Sequence, residues 1–530
     1  MLQTTRSYGG MVTAPHHLAA QAGLEVLRDG GNAIEAMLAA ASTIAVVYPH
    51  MNGLGGDGFW LIGRRGGPVT GIQACGRAAK LASQDWYREQ GCAAIPARGP
   101  LAALTVAGTV DGWNLAQRFS RERFGGRLPL TRLLESAIRH AREGVAVSGT
   151  LRANSLAKLA ELAPVPGFPE TYLDGGEPKA LASRLLQPRV ADTLDHLASA
   201  GLDDFYRGEL ARGLARELED AGSPLRLGDL EAHRAEEVEP LATGVGGHQV
   251  FNMPPPTQGL ASLLLLALYG RLQASEADGF DFVHRLVECT KVAFVVRDRY
   301  ITDPAYMTRP AADFLAPESL ARLAKDVSLA GASPWPRQSQ QGDTVWLGAA
   351  DKDGLCVSFI QSVYWEFGSG VVLPGSGITW QNRGTSFSLD SAHINALEPG
   401  RLPFHTIQPA MAQLSDGRLM AYGTMGGEGQ PQTQAMVFAR HVLHGMDLQA
   451  AVTAPRWLLG RTWGAATTNL KIEENLSPEV IERLREAGHD VEVAAAFSEM
   501  MGHAGAVVSH PDGLLEGASD PRSDGAVAAR

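Results

Sequence analysis

The sequence has few cysteines, no excess of basic residues and no apolar run long enough to span a membrane. Its four cysteines form no CxxC pair in 530 residues, which excludes a disulfide framework and predicts reduced, structural thiols. A net charge of −11 removes the general electrostatic basis for binding nucleic acid. The longest uncharged apolar segments, 36–48 and 260–269, fall short of the roughly 20 residues that a bilayer requires. We therefore expect a globular protein with neither a nucleic-acid nor a membrane partner.

Several motifs that identify common enzyme classes are also missing. The amino-terminal segment MLQTTRSYGGMVTAPHH has no apolar secretion-signal core, so we expect a cytoplasmic protein. There is no HExxH, no GxxxxGK[ST] and no GxSxG, and zincin, P-loop and α/β-hydrolase chemistry therefore lack their usual anchors. The 15 histidines stand in no spacing that indicates a metal site, so we predict no catalytic metal and no cofactor.

Helical periodicity dominates the first 330 residues. Pro15–Asp29 has apolar residues at helical spacing, and Gly30-Gly31 ends this helix. Asn32 is a suitable cap for a second, largely buried helix that continues to Tyr48. Further helices are predicted around Leu130–Arg142, Ser155–Ala163, Val190–Ala200 and Asp203–Ala221.

The helical pattern ends after residue 327, and strand-like sequence begins beyond residue 343. Residues 328–341, SLAGASPWPRQSQQ, have no apolar period and indicate a linker. Beyond it, Thr344–Ala350 and Leu355–Ile360 flank the turn sequence DKDG, which predicts a β-hairpin and a strand-rich second part. No internal repeat of 20 to 50 residues is present, so helical layers packed on sheets fit the chain better than a solenoid or propeller.

One glycine-rich motif is misleading. Gly53–Gly58, GLGGDG, matches GxGxxG, but a helix precedes it and the strand-like sequence FWLI follows. Because a dinucleotide site needs the reverse order, we do not predict NAD binding. We predict instead a loop that lets the backbone approach a ligand or another strand closely.

Another glycine precedes a threonine at the head of a predicted strand, in Gly342-Asp343-Thr344. A threonine nucleophile needs a base, and cleavage before Thr344 would supply its own α-amine. That amine has an ordinary pKa of roughly 7.7 to 8.0, so a useful fraction is neutral in the cytoplasm. By spacing alone, an ordinary strand threonine remains the alternative.

Three ordered sequence blocks lie across about 400 residues of the chain. They are MVTAP at 11–15 with GGNA at 30–33 and GLGGDG at 53–58, then TVWLGAADKDG at 344–354, then GTMGGEGQ at 423–430. Together they resemble the γ-glutamyltransferase family of amino-terminal nucleophile hydrolases. The resemblance implies an α/β fold, a four-layer αββα sandwich of stacked antiparallel sheets. It also implies a precursor cleaved into a large subunit, 1–343, and a small catalytic subunit, 344–530, within one body, and it leaves a dimer of heterodimers open.

The resemblance also implies roles for individual residues. Thr344 would cleave its own bond to Asp343 and then attack a substrate amide, while Ser362 would hold Thr344. Gly426 and Gly427 would offer backbone N–H groups to the oxyanion. Arg77 would pair with a substrate carboxylate, for which a guanidinium fork is suited, although a structural salt bridge is the alternative.

The sequence departs from the family where the substrate ammonium binds. The two amides and one carboxylate that the family uses there fall at Tyr364, Arg383 and Ser386 in this chain. Arg383 would repel an ammonium group. Two serines that contact the substrate carboxylate are replaced by His405 and Thr406, and the segment 386–405 is shorter than usual. Glutathione is therefore disfavoured as the substrate.

A pocket with Arg77, Arg383, His405 and Tyr364 suits a small anion without an ammonium group. Trp346 or Trp365 would narrow it if they face it. The GDTV and PFHT sequences resemble the branch of the family that hydrolyses oxamate to oxalate and ammonia in purine and allantoin degradation. We therefore predict a small acid amide, with oxamate first. The alternatives are a γ-glutamyl hydrolase or transpeptidase of the glutathione type, a glutaryl acylase, and a non-catalytic anion-binding relative.

Overall fold

The computed structural model describes residues 2–335, 343–460 and 467–530. Its strands are β1 (Thr5–Ser7), β2 (Gly10–Ala14), β3 (Asp57–Arg64), β4 (Val69–Ala74), β5 (Val145–Ala146), β6 (Leu173–Asp174), β7 (Glu177–Pro178), β8 (Arg184–Leu185), β9 (Glu236–Val238), β10 (Leu241–Val245), β11 (His248–Asn252), β12 (Asp343–Asp351), β13 (Leu355–Tyr364), β14 (Ala410–Gln413), β15 (Leu419–Thr424), β16 (Trp457–Leu459), β17 (Leu470–Glu473), β18 (Val491–Ala494), β19 (Ala504–Ser509), β20 (Leu515–Ser519) and β21 (Ala526–Ala529).

The α-helices are α1 (His17–Arg28), α2 (Ala33–Val47), α3 (Gln84–Glu89), α4 (Thr109–Phe124), α5 (Leu130–Glu143), α6 (Gly149–Ala157), α7 (Leu159–Leu162), α8 (Phe168–Tyr172), α9 (Pro188–Ala200), α10 (Asp204–Arg207), α11 (Glu209–Ala221), α12 (Leu227–Ala232), α13 (Gly259–Arg271), α14 (Phe280–Tyr300), α15 (Pro317–Leu323), α16 (Gln430–Phe438), α17 (Leu448–Thr453) and α18 (Pro478–Glu486). No helix in the described ranges is both long enough and apolar enough to cross a membrane.

Two seven-stranded antiparallel sheets form the centre of the fold. One, the β12 sheet, has the order β21-β2-β12-β13-β3-β4-β9, and the other, the β15 sheet, has the order β1-β20-β19-β15-β14-β11-β10. Each sheet contains strands from both sides of residue 343, so the boundary between Asp343 and Thr344 is not a boundary between separately packed domains. Cutting the chain there would leave both halves interleaved in the same two sheets.

Three apolar cores separate four layers. Helices α1, α2 and α4 cover the outer face of the β12 sheet, and α13 and α16 cover the outer face of the β15 sheet, with α14 packed against both of them. Side chains such as Met11, Leu61 and Met411 fill the space between the sheets. Because both faces of the central strands are buried, β13 is buried at all ten positions, and seven of its ten residues are apolar or aromatic. The predicted αββα sandwich is confirmed.

Local sequence signals placed several elements correctly. Asn32 caps α2 by accepting hydrogen bonds from Ile34 and Glu35, and the Glu35 carboxylate accepts one from the Asn32 N–H in return. The predicted β12–β13 hairpin also forms. The four cysteines are unpaired, as expected.

The helix predicted over Asp203–Ala221 is interrupted in the structure. It breaks at Gly208, where the Asp204 carboxylate accepts hydrogen bonds from the backbone N–H groups of Glu209 (3.2 Å) and Leu210 (2.9 Å). The Asp204 side chain, which belongs to α10, therefore satisfies the first two N–H groups of α11. The chain starts a new helix there and does not continue α10. The predicted linker 328–341 contains no helix or strand as far as Trp335, and its remainder lies outside the described residues.

Trp346 occupies the core between the sheets. Its indole packs against glycines on three strands, including Gly423 on β15 and Gly505 on β19, and its Nε1–H donates to Ser358 Oγ at 2.9 Å. The prediction that Trp346 narrows the substrate pocket does not fit this position, because the ring is buried between the two sheets.

Gly423→Ala is expected to destabilise the protein by about 1–3 kcal/mol or more, because overpacking displaces a fixed side chain. A Cβ at position 423 would lie 2.2 Å from indole Cδ1 of Trp346. Gly213→Ala on α11 is the control, since a Cβ at position 213 would meet nothing within 4 Å. This substitution should raise the free energy of unfolding by roughly 0.5–1 kcal/mol. Urea unfolding measures both, and an unchanged midpoint for Gly423→Ala would contradict this packing.

Candidate active site

Thr344 lies at the start of β12, where the hairpin register is irregular. Asp343 pairs with Tyr364 and Val345 pairs with Gln361, so the single residue Thr344 faces two residues of β13. This is the pattern of a β-bulge, which locally disrupts the ladder and re-aims a side chain. Thr344 is fully buried. The bulge therefore separates the Asp343–Thr344 peptide bond from the regular strand that follows it.

Ser362 occupies the bulged part of β13. Its hydroxyl accepts a hydrogen bond from the Tyr364 N–H at 2.8 Å. The Gly53–Gly58 loop packs directly on this turn, since a Cβ at Gly56 would lie 2.2 Å from the Ser362 carbonyl oxygen. The loop thus approaches the backbone of another strand closely, as predicted. It leads directly into β3.

The Gly426–Gly427 turn follows β15 and leads into α16. Both glycines have positive φ, 116° and 50°, a conformation that favours glycine. The hydrogen bond that closes the turn runs from the Gly429 N–H to the Gly426 carbonyl at 2.8 Å, and so does not use the N–H of either glycine. Gln430 follows at once, and its side-chain Nε2 donates to Thr344 Oγ1 at 3.4 Å. The turn and the threonine are therefore neighbours, and Gln430 is a contact that sequence reasoning missed.

Arg383 is fully buried over the ring of Tyr364. The guanidinium carbon lies 3.7 Å from the ring centroid, and Nη1 donates to Thr406 Oγ1 at 3.4 Å. Among the described residues, Arg383 Nε and Nη2 have no hydrogen-bond partner. Burial lowers the pKa of Arg383 to about 10, so the side chain stays cationic at neutral pH. A buried cation with unused donors is suited to binding an anion.

Tyr364 has an unusual backbone conformation for a tyrosine, with φ at +83°. Residues with side chains rarely adopt this region, and such strain is concentrated at functional sites. The conformation ends β13 and directs the chain into the segment that carries Trp365. Trp365 lies beside Arg98, whose guanidinium carbon is 5.6 Å from its ring centroid.

Asp57 and His405 complete the buried group around Arg383. The Asp57 carboxylate accepts hydrogen bonds from the N–H groups of Gly76 (3.1 Å) and Gly108 (3.0 Å), and its Oδ2 lies 3.6 Å from His405 Nε2. Burial raises the pKa of Asp57 to about 7, although the Arg383 cation acts in the opposite direction. Burial, together with Arg383, holds the pKa of His405 well below its usual range, so the imidazole is neutral.

Sequence reasoning did not single out Asp57. The available signal was a lone carboxylate inside a glycine-rich loop, GLGGDG, that was already expected to approach a ligand or strand. Its partners, Gly76, Gly108, Arg383 and His405, come from four other parts of the chain. Only the folded structure brings them together.

The raised pKa of Asp57 predicts a pH-dependent stability difference. Well below pH 4 the carboxyl is protonated in both the folded and the unfolded chain. As the pH rises from about 4 to 7, the unfolded chain releases this proton first, so wild-type stability falls relative to that of Asp57→Asn. We expect the Tm of Asp57→Asn minus that of wild type to increase over this interval and then to level off. A difference that stays constant from pH 4 to 7 would contradict the buried, proton-holding carboxyl.

Arg77 has a more exposed environment than Arg383. Its side chain is 53% exposed, with Nη1 3.2 Å from the Gly400 carbonyl and 3.7 Å from Asp303 Oδ2. It lines a cavity of about 230 Å³. Cys75 lines the same cavity, two residues before Arg77 in the chain. Burial raises the pKa of the Cys75 thiol, which disfavours a thiolate there.

Within the described ranges, one group of side chains has the spacing of metal ligands. It consists of His284, Glu288 and His489, whose ligand atoms lie within 4.8 Å of one another. However, His284 Nδ1 and His489 Nε2 are already within hydrogen-bond distance at 2.8 Å, and the Lys291 ammonium lies 2.7 Å from Glu288. A cation beside the carboxylate opposes metal binding, so these residues are better described as a buried hydrogen-bonded group.

The sequence matches a known family over almost its whole length. Residues 19–530 match the gamma-glutamyltranspeptidase family. The chain belongs to this family. It is 56% identical over 519 residues to the oxamate amidohydrolase proenzyme of Klebsiella pneumoniae, covering 98% of both chains. It is 38% identical over 520 residues to the glutathione hydrolase-like YwrD proenzyme of Bacillus subtilis, again covering 98% of both.

A solved structure shares the same fold. Cephalosporin acylase from Bacillus halodurans superposes with a TM-score of 0.91 at 33% identity, covering 100% of this chain and 97% of that chain. The protein is therefore a member of a family of amide-hydrolysing enzymes with the amino-terminal nucleophile hydrolase fold. Its relatives' names describe acylases, hydrolases and proenzymes.

Proposed function

We propose that this protein is an amidohydrolase that uses Thr344 as an amino-terminal nucleophile and hydrolyses a small acid amide, with oxamate as the preferred substrate. The observation that carries the proposal is the juxtaposition at the head of β12. Thr344 stands at a strand bulge, and the residue that follows the glycine turn donates to its hydroxyl. A hydroxyl nucleophile beside a turn of available N–H groups is the arrangement that acyl transfer requires.

Maturation would begin with attack of Thr344 Oγ on the Asp343 carbonyl carbon. The C–N bond between the two residues breaks, an ester forms and the Thr344 nitrogen takes up the proton. Water then hydrolyses the ester, leaving a carboxylate on Asp343 and a free amine on Thr344. The products are a large subunit, 1–343, and a small subunit, 344–530, which remain together because both sheets contain strands from each.

Substrate turnover would repeat the same chemistry on an external amide. The free Thr344 amine removes the hydroxyl proton as Oγ attacks the amide carbon, and the Gly426 and Gly427 N–H groups bind the resulting oxyanion. Ammonia leaves with that proton, and water releases the acid from the ester. Gln430 orients the hydroxyl, and Ser362 holds the end of β13 that faces Thr344, by accepting the Tyr364 N–H.

The substrate carboxylate is assigned to Arg383. Its two unpartnered donors are buried, and a charge-assisted hydrogen bond there is not weakened by water. Thr406 fixes one end of the guanidinium, Tyr364 covers its face, and neutral His405 adds no competing charge. Arg77, half exposed on the cavity wall, would attract the anion towards this site.

Oxamate fits this arrangement because its carboxylate is bonded directly to the amide carbon and it carries no ammonium group. The relative with 56% identity is named for the same substrate. A γ-glutamyl compound would place an ammonium beside Arg383, where the ammonium would lose hydration and be repelled by the guanidinium cation.

A substrate panel tests the proposal. We expect kcat/KM for ammonia release from oxamate to exceed that from L-glutamine, and that for hydrolysis of glutathione or a glutaryl amide, by about 100-fold or more. Processed wild-type enzyme is compared with Thr344→Ala as the blank. Preference for a γ-glutamyl compound would replace oxamate by the glutathione-type alternative, and preference for the glutaryl amide would indicate an acylase. If no amide is hydrolysed, the non-catalytic anion-binding alternative would replace the proposed activity.

A further inference from the structure

A buried glutamine joins two segments that the proposed mechanism uses. Gln258 immediately precedes α13 and has no exposed surface. Its side-chain Nε2 donates to the carbonyl of Gly427 at 2.8 Å and to the carbonyl of Thr406 at 2.6 Å. One amide group therefore links the glycine turn beside Thr344 to the segment that contacts Arg383.

The orientation of this amide is fixed from its other side. Gln258 Oε1 accepts a hydrogen bond from Arg297 Nη1 at 3.1 Å. Arg297 is itself buried and lies 3.4 Å from the carboxylate of Glu428, the residue directly after Gly427. Gln258 and Arg297 thus hold two consecutive residues of the glycine turn.

Backbone hydrogen bonds fix Gln258 to the second segment as well. The Gln258 N–H donates to the His405 carbonyl at 2.8 Å, and the His405 N–H donates to the Pro256 carbonyl at 2.9 Å. The chain around Gln258 and the chain around His405 therefore cannot move independently without breaking buried hydrogen bonds. The side chain extends this connection to the glycine turn.

We propose that Gln258 is a positioning residue that sets the spacing between the Gly426–Gly427 turn and the Arg383-binding segment at His405–Thr406. This inference rests on the proposed function of those two segments. A side-chain amide supplies two donors and one acceptor in one plane, and the three partners here use all of them in matching roles. In the reaction, the turn would bind the oxyanion while Arg383 holds the carboxylate two bonds away. A displacement of about 1 Å between them can lower the rate by roughly 100-fold.

Gln258→Met, which keeps the length and removes both donors, tests the proposal in the processed enzyme. We expect kcat for oxamate to fall by ~10- to 100-fold. The Kd of oxalate, measured by calorimetry, should stay within about threefold of wild type, since Arg383 still binds a carboxylate. Gln187→Met is the matched control, because Gln187 is also buried and donates to a single backbone carbonyl, that of Val46, at 2.7 Å. Its kcat should remain near the wild-type value.

Arg297→Lys provides a second variant that keeps the charge facing Glu428. It should also lower kcat, but only by ~3- to 10-fold. Gln258 remains, but its Oε1 no longer receives the hydrogen bond from the guanidinium of Arg297. Three results would overturn the inference: wild-type kcat in Gln258→Met, an equal loss in Gln187→Met, or a loss of oxalate affinity that parallels the loss of kcat. If wild type turns over an amide other than oxamate, the proposed substrate fails and the same comparison is made with that amide and its product acid.

Discussion

Thr344→Ala is expected to remain a single chain of 530 residues and to have no amidase activity. The alanine has no hydroxyl to attack the Asp343 carbonyl, so the backbone is not cleaved, and no free amine is created to act as base. The loss should be at least about 10⁴-fold in kcat, the scale seen when a covalent nucleophile is removed. Intact-mass measurement reports the cleavage, and ammonia release reports the activity.

Thr344→Ser is the control for this experiment, because serine keeps the hydroxyl and loses only the methyl group. It should still be processed into residues 1–343 and 344–530, at a reduced rate. Cleavage of Thr344→Ala at the same bond would refute self-cleavage and point to an external protease. A wild-type enzyme that stays uncleaved yet hydrolyses amides would refute the α-amine as the base.

Arg383→Met is expected to lower kcat/KM for oxamate by about 10- to 150-fold, the equivalent of ~1.5–3 kcal/mol for a charge-assisted hydrogen bond. Arg383 is buried with two unpartnered donors, so its attraction for a carboxylate is weakly screened. Self-cleavage should continue, because the Asp343–Thr344 peptide bond presents no substrate carboxylate to Arg383. Steady-state kinetics on the processed variant measures the change.

Arg77→Gln is the matched comparison for Arg383→Met, because it removes the other arginine proposed to attract the substrate anion. Arg77 is half exposed and already within reach of a carbonyl and a carboxylate, so its removal should cost less, about tenfold at most. Arg383→Lys keeps the charge but not the planar fork, and should lie between wild type and Arg383→Met. A larger loss in Arg77→Gln than in Arg383→Met would move the carboxylate contact to Arg77, as the family resemblance first implied.

The parts of the fold that were predicted correctly depend on neighbours in the sequence. The capping of α2 by Asn32 and Glu35 needs residues three apart, and the β12–β13 hairpin needs only a four-residue turn between apolar runs. The broken helix at Gly208 shows the limit of this reasoning. The apolar period continued through it, but a local carboxylate, Asp204, offered a competing cap.

The residues of the candidate site also divide into those that short sequence motifs predicted and those that depend on distant contacts. Thr344 and the glycine pair were predicted because each stands in a short motif that resembles the family, and Ser362 was predicted from its position relative to Thr344. Asp57, Gln258 and Gln430 were not predicted, because the contacts that single them out are with residues far away in the sequence, although Asp57 and Gln430 lie inside quoted motifs. Gln258 is 169 residues from Gly427, and Gln430 is 86 residues from Thr344. The contacts that these residues make are not encoded by any short sequence pattern.

The sequence alone determined the family through its ordered motifs, the αββα layering through the resemblance to that family, and the threonine at the head of a strand through the local strand pattern. Only the tertiary structure decided which side chains surround that threonine and which arginine is buried. It placed Trp346 in the core between the sheets and placed Asp57 and Arg383 in one buried cluster. The physical reason is that desolvation and hydrogen-bond geometry act between atoms close in space, and distant segments come close only when the sheets stack.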